Sequence, residues 1–222
     1  MRIVVFMNQE RVNFYADSVE PIRLEGLLDV PEEADRPPAC ILCHPHPIGG
    51  GSMHVPLLET MSRVLAGKGW ACLRFNFRGV GGSSGRTSGD GRETEDVEGA
   101  FRWLKERGDL DTGRLGLAGW SFGAWVGLNW AVSSGVCEFV ALVNPPLVGF
   151  DFFYFLEGEA ALKPGRTLII SGEKDQFADR ERLEELASRL EAELRILRGA
   201  DHFLFGMEME VAEMVAGHWS NP

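Results

Sequence analysis

Gly119-Trp-Ser-Phe-Gly123 sets a serine between two glycines, where an apolar strand, Arg114-Leu-Gly-Leu-Ala118, gives way to a helix starting near Phe122. A G-x-S-x-G turn between strand and helix holds its serine in a strained conformation and pushes the hydroxyl into the open. A side chain at either glycine would collide with the neighbouring strand or helix. A serine hydroxyl is a weak nucleophile and needs a base in hydrogen-bond reach, oriented by a third group. Asp175 lies just past a later apolar strand, in Leu168-Ile-Ile-Ser-Gly-Glu-Lys-Asp175, and His202 lies in a loop, in Gly199-Ala-Asp-His202-Phe. The chemistry expected of the three is acyl transfer. Ser121 attacks, His202 takes and returns the proton, and Asp175 fixes the imidazole tautomer and stabilises the imidazolium. Glu173 and Asp179 are rival acids, but Glu173 follows the strand too soon and Asp179 reads as a helix N-cap. Asp201, beside His202, is expected to point elsewhere.

Acyl transfer also needs two N–H donors aimed at the negative charge that develops on the carbonyl oxygen. The amide of Phe122, directly after the nucleophile, is the first candidate. The second should come from His44-Pro-His-Pro-Ile-Gly-Gly-Gly-Ser52. Pro45 and Pro47 carry no N–H, which leaves His46 as the preferred donor and Ile48 as the next. His44 and His46 could alternatively ligate a metal, but no carboxylate or cysteine cluster completes such a site. Neither metal nor cofactor is expected.

These residues need a scaffold. Ile22 to Val30 alternates apolar and polar residues as a half-exposed strand does. Residues 2–7 and 11–16 are candidates for a strand or hairpin before it. Ala39 to Cys43 is a short continuous apolar run, as in a central strand covered on both faces. Helical periodicity over 56–68, 93–107, 122–132, 179–190 and 207–218 alternates with strands at 70–77, 114–118, 139–143, 167–171 and 194–197. That alternation predicts a mostly parallel sheet with helices on both faces, built as one domain over residues 1–222. Function then concentrates at the carboxyl ends of the strands, where Ser121, Asp175, His202 and the loop after His44 all fall. Gly79-Val-Gly-Gly-Ser-Ser-Gly85 follows a strand but lacks the spacing of a dinucleotide loop and the lysine of a P-loop. It reads as structural, with Arg78 expected to pair with Asp96 or Glu93. Phe150, Phe152, Phe153, Tyr154 and Phe155 either pack over the sheet or wall a substrate pocket.

A net charge of −11 argues against a nucleic-acid partner, which requires a basic face. No apolar run is long enough to span a membrane, and Ile3 to Met7 is too short for a signal segment, so a cytoplasmic location is expected. Four cysteines are present. Cys40 and Cys43 have C-x-x-C spacing, but on a strand residues three apart point to opposite faces, and buried thiols fit a reducing compartment.

On His44-Pro-His-Pro-Ile-Gly-Gly-Gly-Ser-Met53, Leu73-Arg-Phe-Asn-Phe-Arg-Gly-Val-Gly81, Gly119-Trp-Ser-Phe-Gly123, Gly172-Glu-Lys-Asp175 and Gly199-Ala-Asp-His202, the chain resembles the small lidless α/β-hydrolases, relatives of dienelactone hydrolases and serine aminopeptidases. Ser, then Asp, then His is the chain order of that fold. The resemblance implies an α/β-hydrolase fold without a large cap domain and a Ser121–His202–Asp175 hydrolase of carboxylic esters. Dienelactone hydrolases carry Cys where this chain has Ser121, so their substrate is not implied. The expected substrate is a small neutral ester or thioester with a short acyl chain. A peptidase or amidase with the same residues, or a non-catalytic interaction protein on this fold, are the alternatives.

Overall fold

A computed structural model describes residues 7–32, 34–157 and 164–220. In chain order the elements are β1 (Met7–Tyr15), β2 (Arg23–Pro31), β3 (Pro38–Cys43), α1 (Pro56–Ala66), β4 (Ala71–Phe75), α2 (Thr94–Glu106), β5 (Asp111–Trp120), α3 (Phe122–Ser134), β6 (Phe139–Val143), β7 (Arg166–Gly172), α4 (Arg180–Leu190), β8 (Glu193–Leu197) and α5 (Glu208–Ser220). The strands join in one sheet in the order β1-β2-β4-β3-β5-β6-β7-β8. β1 and β2 are antiparallel, β2 runs antiparallel to β4, and every pairing from β4 through β8 is parallel.

Two cores lie on opposite faces of the sheet. α1 and α5 cover one through Leu57, Leu58, Met61, Leu65, Val211, Val215 and Trp219. α2, α3 and α4 cover the other through Val97, Leu104, Phe122, Val126, Leu183 and Leu186. α1 begins with Pro56, whose missing N–H costs nothing in a first turn, and its apolar residues recur at helical spacing to face the sheet. α3 is apolar all round, as a helix sunk between sheet and neighbours must be. The central strands β3, β4 and β6 carry buried residues without alternation because helices cover both faces. Cys40 faces the α1/α5 core and Cys43 the other, so the C-x-x-C spacing brings no pair of thiols together.

Some boundaries differ from the sequence reading. The strand expected before β2 is one antiparallel strand, Met7–Tyr15, that also takes in the residues between 7 and 11; residues 2–6 lie outside the described residues. β4 ends at Phe75, because Asn76 and Phe77 turn out of the sheet into the loop that carries Arg78. β5 begins at Asp111, earlier than the apolar run suggests, since Asp111 pairs with Pro38 at the start of β3 before the register shifts to Ala39 opposite Leu115. Among the described residues no helix is long and apolar enough to cross a membrane.

Candidate active site

Ser121 sits between β5 and α3 with φ 55° and ψ −119°. A non-glycine residue held there stores on the order of 1–3 kcal/mol of strain, which the surroundings must over-determine. They do so at four points. The Ser121 N–H donates to the Val143 carbonyl of β6 (2.9 Å), and its own carbonyl accepts from Ala124 and Trp125 to open α3. A Cβ on Gly119 would lie 2.2 Å from the Gly123 carbonyl oxygen, and one on Gly123 would lie 2.2 Å from that of Cys43. Backbone meets backbone at both positions, so neither contact can relax by moving a side chain.

The loops after β7 and β8 bring the other two groups to Ser121. Nε2 of His202 lies 2.9 Å from Oγ of Ser121, and Nδ1 lies 2.9 and 3.0 Å from the two carboxylate oxygens of Asp175. Oδ1 of Asp175 also accepts the Phe177 N–H (2.8 Å), which fixes the carboxylate plane. Ser121, Asp175 and His202 are only 8%, 7% and 6% exposed, so water competes little for these bonds. The rival acids are occupied elsewhere. Glu173 accepts from the Gly199 N–H, Asp179 caps α4 by accepting from Arg182, and Asp201 accepts from Phe203.

The sequence reading did not single out the residue that ties these loops together. Asn144, at the end of β6, is buried and has φ 44°. Its N–H donates to the Ile170 carbonyl. Its side-chain carbonyl accepts from Gly172, ahead of Asp175, and its NH2 donates to the carbonyls of Asp201 and His202. The Trp120 indole donates to the same His202 carbonyl. The segments bearing Asp175 and His202 therefore converge on one amide, and the strand leading to Ser121 reaches the same His202 carbonyl through Trp120. The only sequence signal was an asparagine at a strand end before Pro145-Pro146, a residue that tolerates the left-handed region.

On the other side of Ser121 the loop after β3 is anchored by His44. Burial lowers the pKa of this imidazole to about 4, so it is neutral at ordinary pH. Nδ1–H donates to the Pro45 carbonyl (2.7 Å) and Nε2 accepts from the Phe77 N–H (3.1 Å), so both ring nitrogens are engaged. The Ile48 N–H points back to Nδ1 of His46. Among the described residues, the amides of His46 and Phe122 have no hydrogen-bond acceptor. The His46 ring packs on Phe122 at 4.8 Å.

Arg78 lies under this corner. Its Nε and Nη2 both donate to Oδ1 of Asp96 (2.8 and 2.7 Å), Nη2 donates also to Glu95, and its backbone N–H donates to Oδ2 of Asp96. Burial works against the guanidinium charge, but the Asp96 and Glu95 carboxylates together outweigh it and raise the Arg78 pKa. Glu93, the expected alternative partner, precedes α2 and instead accepts the N–H groups of Ser88 and Gly89. The aromatic stretch divides. Phe152 is buried in the core, and Arg182 and Arg189 lie over Phe153. Phe150 packs on Trp125 and Phe122 (5.1 and 5.6 Å), extending a wall of rings from His46.

Comparison with known proteins agrees with this architecture. The model of the X-Pro dipeptidyl-peptidase (S15) family matches residues 20–195. An uncharacterized protein of Rickettsia prowazekii is 29% identical over 188 residues, which cover 82% of this chain and 77% of the relative. An alpha-beta serine hydrolase homologue from Coxiella burnetii superposes with a TM-score of 0.79 at 29% identity, covering 96% of this chain and 98% of the other. A serine hydrolase without lid from Xanthomonas campestris gives 0.79 at 29% identity, covering 94% and 93%. The fold is that of a small lidless α/β-hydrolase.

Proposed function

We propose that this chain, which belongs to the X-Pro dipeptidyl-peptidase (S15) family, is a serine carboxylesterase that cleaves small neutral esters or thioesters through an acyl-enzyme on Ser121. The observation that carries the reading is the continuous chain from Ser121 Oγ through both nitrogens of His202 to Asp175, each link 2.9–3.0 Å. In the first step Ser121 attacks the carbonyl carbon while His202 Nε2 takes its proton. The carbonyl oxygen becomes an oxyanion facing the Phe122 and His46 amides. His202 then returns the proton to the departing oxygen, and water repeats the sequence on the acyl-enzyme. Asp175 accepts from Nδ1–H and keeps that tautomer in place. A site of this kind works without metal or cofactor, and its partner is the small substrate itself. The net charge of −11 fits neither nucleic acid nor an anionic membrane surface.

The family match favours a second reading, peptide or amide cleavage with the same three residues. Taking a dipeptide from a free N-terminus requires a carboxylate for the terminal ammonium. Glu173, Asp151 and Asp201 each hold a loop through a backbone N–H, and among the described residues none of them is bonded to Ser121 or His202, so the ester reading ranks first. One experiment tests both. A fluorophosphonate probe should label wild type at a single residue, Ser121, and Ser121→Ala should stay folded and unlabelled. Turnover should be seen on p-nitrophenyl acetate and be weaker on aminoacyl p-nitroanilides. Full labelling of Ser121→Ala, or an adduct on Ser83, Ser84 or Ser171, would refute the assignment.

A further inference from the structure

We propose that the exposed pair of phenyl rings just beyond His202 is the platform for the leaving group, and that it selects esters of apolar, above all aromatic, alcohols. This rests on the serine-esterase reading and names the half of the substrate that the reading leaves open. Phe203 and Phe205 stack with centroids 5.8 Å apart and planes 12° apart, yet they are 48% and 80% exposed. Contiguous apolar surface left in water marks a place where something binds. The stack starts at the reacting centre. Phe203 meets the His202 ring edge-on at 5.9 Å, and Phe177 meets it at 4.6 Å. The opposite flank of Ser121 is different in kind, because Phe122, Trp125 and Phe150 are packed on one another there.

The chemistry assigns one half of the substrate to each flank. In acylation the Ser121 Oγ–carbon bond forms and the alkoxy carbon–oxygen bond breaks. The proton that His202 took from Ser121 passes from Nε2 to the departing oxygen, and the alcohol leaves. That oxygen must come within hydrogen-bond reach of His202 Nε2, so whatever it carries extends over the loop that follows His202. The acyl carbonyl oxygen turns the other way, toward the Phe122 and His46 amides. An aromatic or alkyl alcohol lying on Phe203 and Phe205 buries its own surface and theirs, with the ring-on-ring geometry such pairs prefer. A methyl group is too small to reach the stack.

The test compares kcat/KM for methyl, butyl and benzyl acetate in wild type and in the Phe203→Ser/Phe205→Ser double variant. The acetyl group is common to all three, so deacylation is common as well. Methanol and benzyl alcohol are similarly acidic, so the benzyl-to-methyl ratio reports contacts with the leaving group. That ratio is also independent of how much of a preparation is folded. Wild type should prefer benzyl acetate by tens of fold, and the double variant should lose at least tenfold of the ratio, equivalent to about 1.4 kcal/mol. A ratio preserved within about twofold in the variant, or no preference in wild type, overturns the platform while leaving the esterase reading intact. If no acetate is hydrolysed in a manner that Ser121→Ala abolishes, the esterase reading falls and the platform with it. A concentration-dependent dimer in sedimentation velocity that the double variant dissociates, with the ratio unchanged, would reassign the stack to a contact between copies and overturn the proposal.

Discussion

Acid should loosen the loop that positions the His46 amide, and the loss can be worked from His44. Its imidazole is buried and neutral, with its pKa lowered from 6.5 to about 4, chiefly by desolvation. A histidine whose folded value is depressed binds its proton more readily in the unfolded chain. Its contribution to stability is therefore complete above pH 6.5 and is lost as pH falls toward 4. Linkage between those two values makes the contribution about 3 kcal/mol, of which about 2 kcal/mol is gone at pH 5. That is a large part of the roughly 5–15 kcal/mol available to a domain. Protonation at Nε2 also turns the acceptor of the Phe77 N–H into a second donor facing it. Urea unfolding of wild type and His44→Gln at pH 8 and pH 5 isolates the term, because other titrating groups are common to both. The variant should be less stable at pH 8, and its loss on moving to pH 5 should be smaller than that of wild type by about 2 kcal/mol. Parallel losses in the two proteins would show that His44 is not the buried neutral anchor described above.

Three further outcomes are expected. Asp175→Asn should keep the fold and lower kcat on p-nitrophenyl acetate by about three to four decades through the wrong imidazole tautomer; near-normal turnover would move the acid to Glu173 or Asp179. Asn144→Asp replaces an NH2 that donates to two carbonyls with a carboxylate facing them. It should cost about 2–4 kcal/mol in chemical denaturation and lower kcat more than it raises KM, whereas an unchanged kcat per folded molecule would make Asn144 a purely structural residue. On p-nitrophenyl esters of rising acyl length, kcat/KM should peak at about two to six carbons, since a buried methylene contributes its roughly 0.8 kcal/mol only when something removes it from water; a steady climb through twelve carbons would contradict the lidless reading of the acyl side.

What could be read in the sequence was whatever local rules and chain order determine. Ser121 was legible because a tight strand-to-helix turn needs glycines at fixed positions, and those glycines meet backbone atoms at 2.2 Å. Asp175 and His202 were legible because alternating strands and helices put their loops at the same edge of the sheet. Asp179 was legible as a cap because capping is decided within three residues, and it does accept from Arg182. The split of the aromatic stretch was not. Phe150 and Phe152 are two residues apart and share a composition, but one joins the ring wall and the other enters the core. The turn at Asp151, which accepts from the amides of Phe153 and Tyr154, separates them.

The same limit explains Glu93 and Asn144. Sequence pattern placed an acidic residue of the helix after Arg78 against the guanidinium, but the phase at a helix start is set by the preceding turn. That turn points Glu93 back at Ser88 and Gly89 and leaves Asp96 and Glu95 on Arg78. Asn144 acts across separations of 57 and 58 residues through bonds from one side-chain amide to main-chain carbonyls. Any residue type can supply such a carbonyl, so its partners leave no trace in composition or periodicity. The groups that would make and break bonds announce themselves by type, whereas the groups that hold them in register do so only through the path of the backbone.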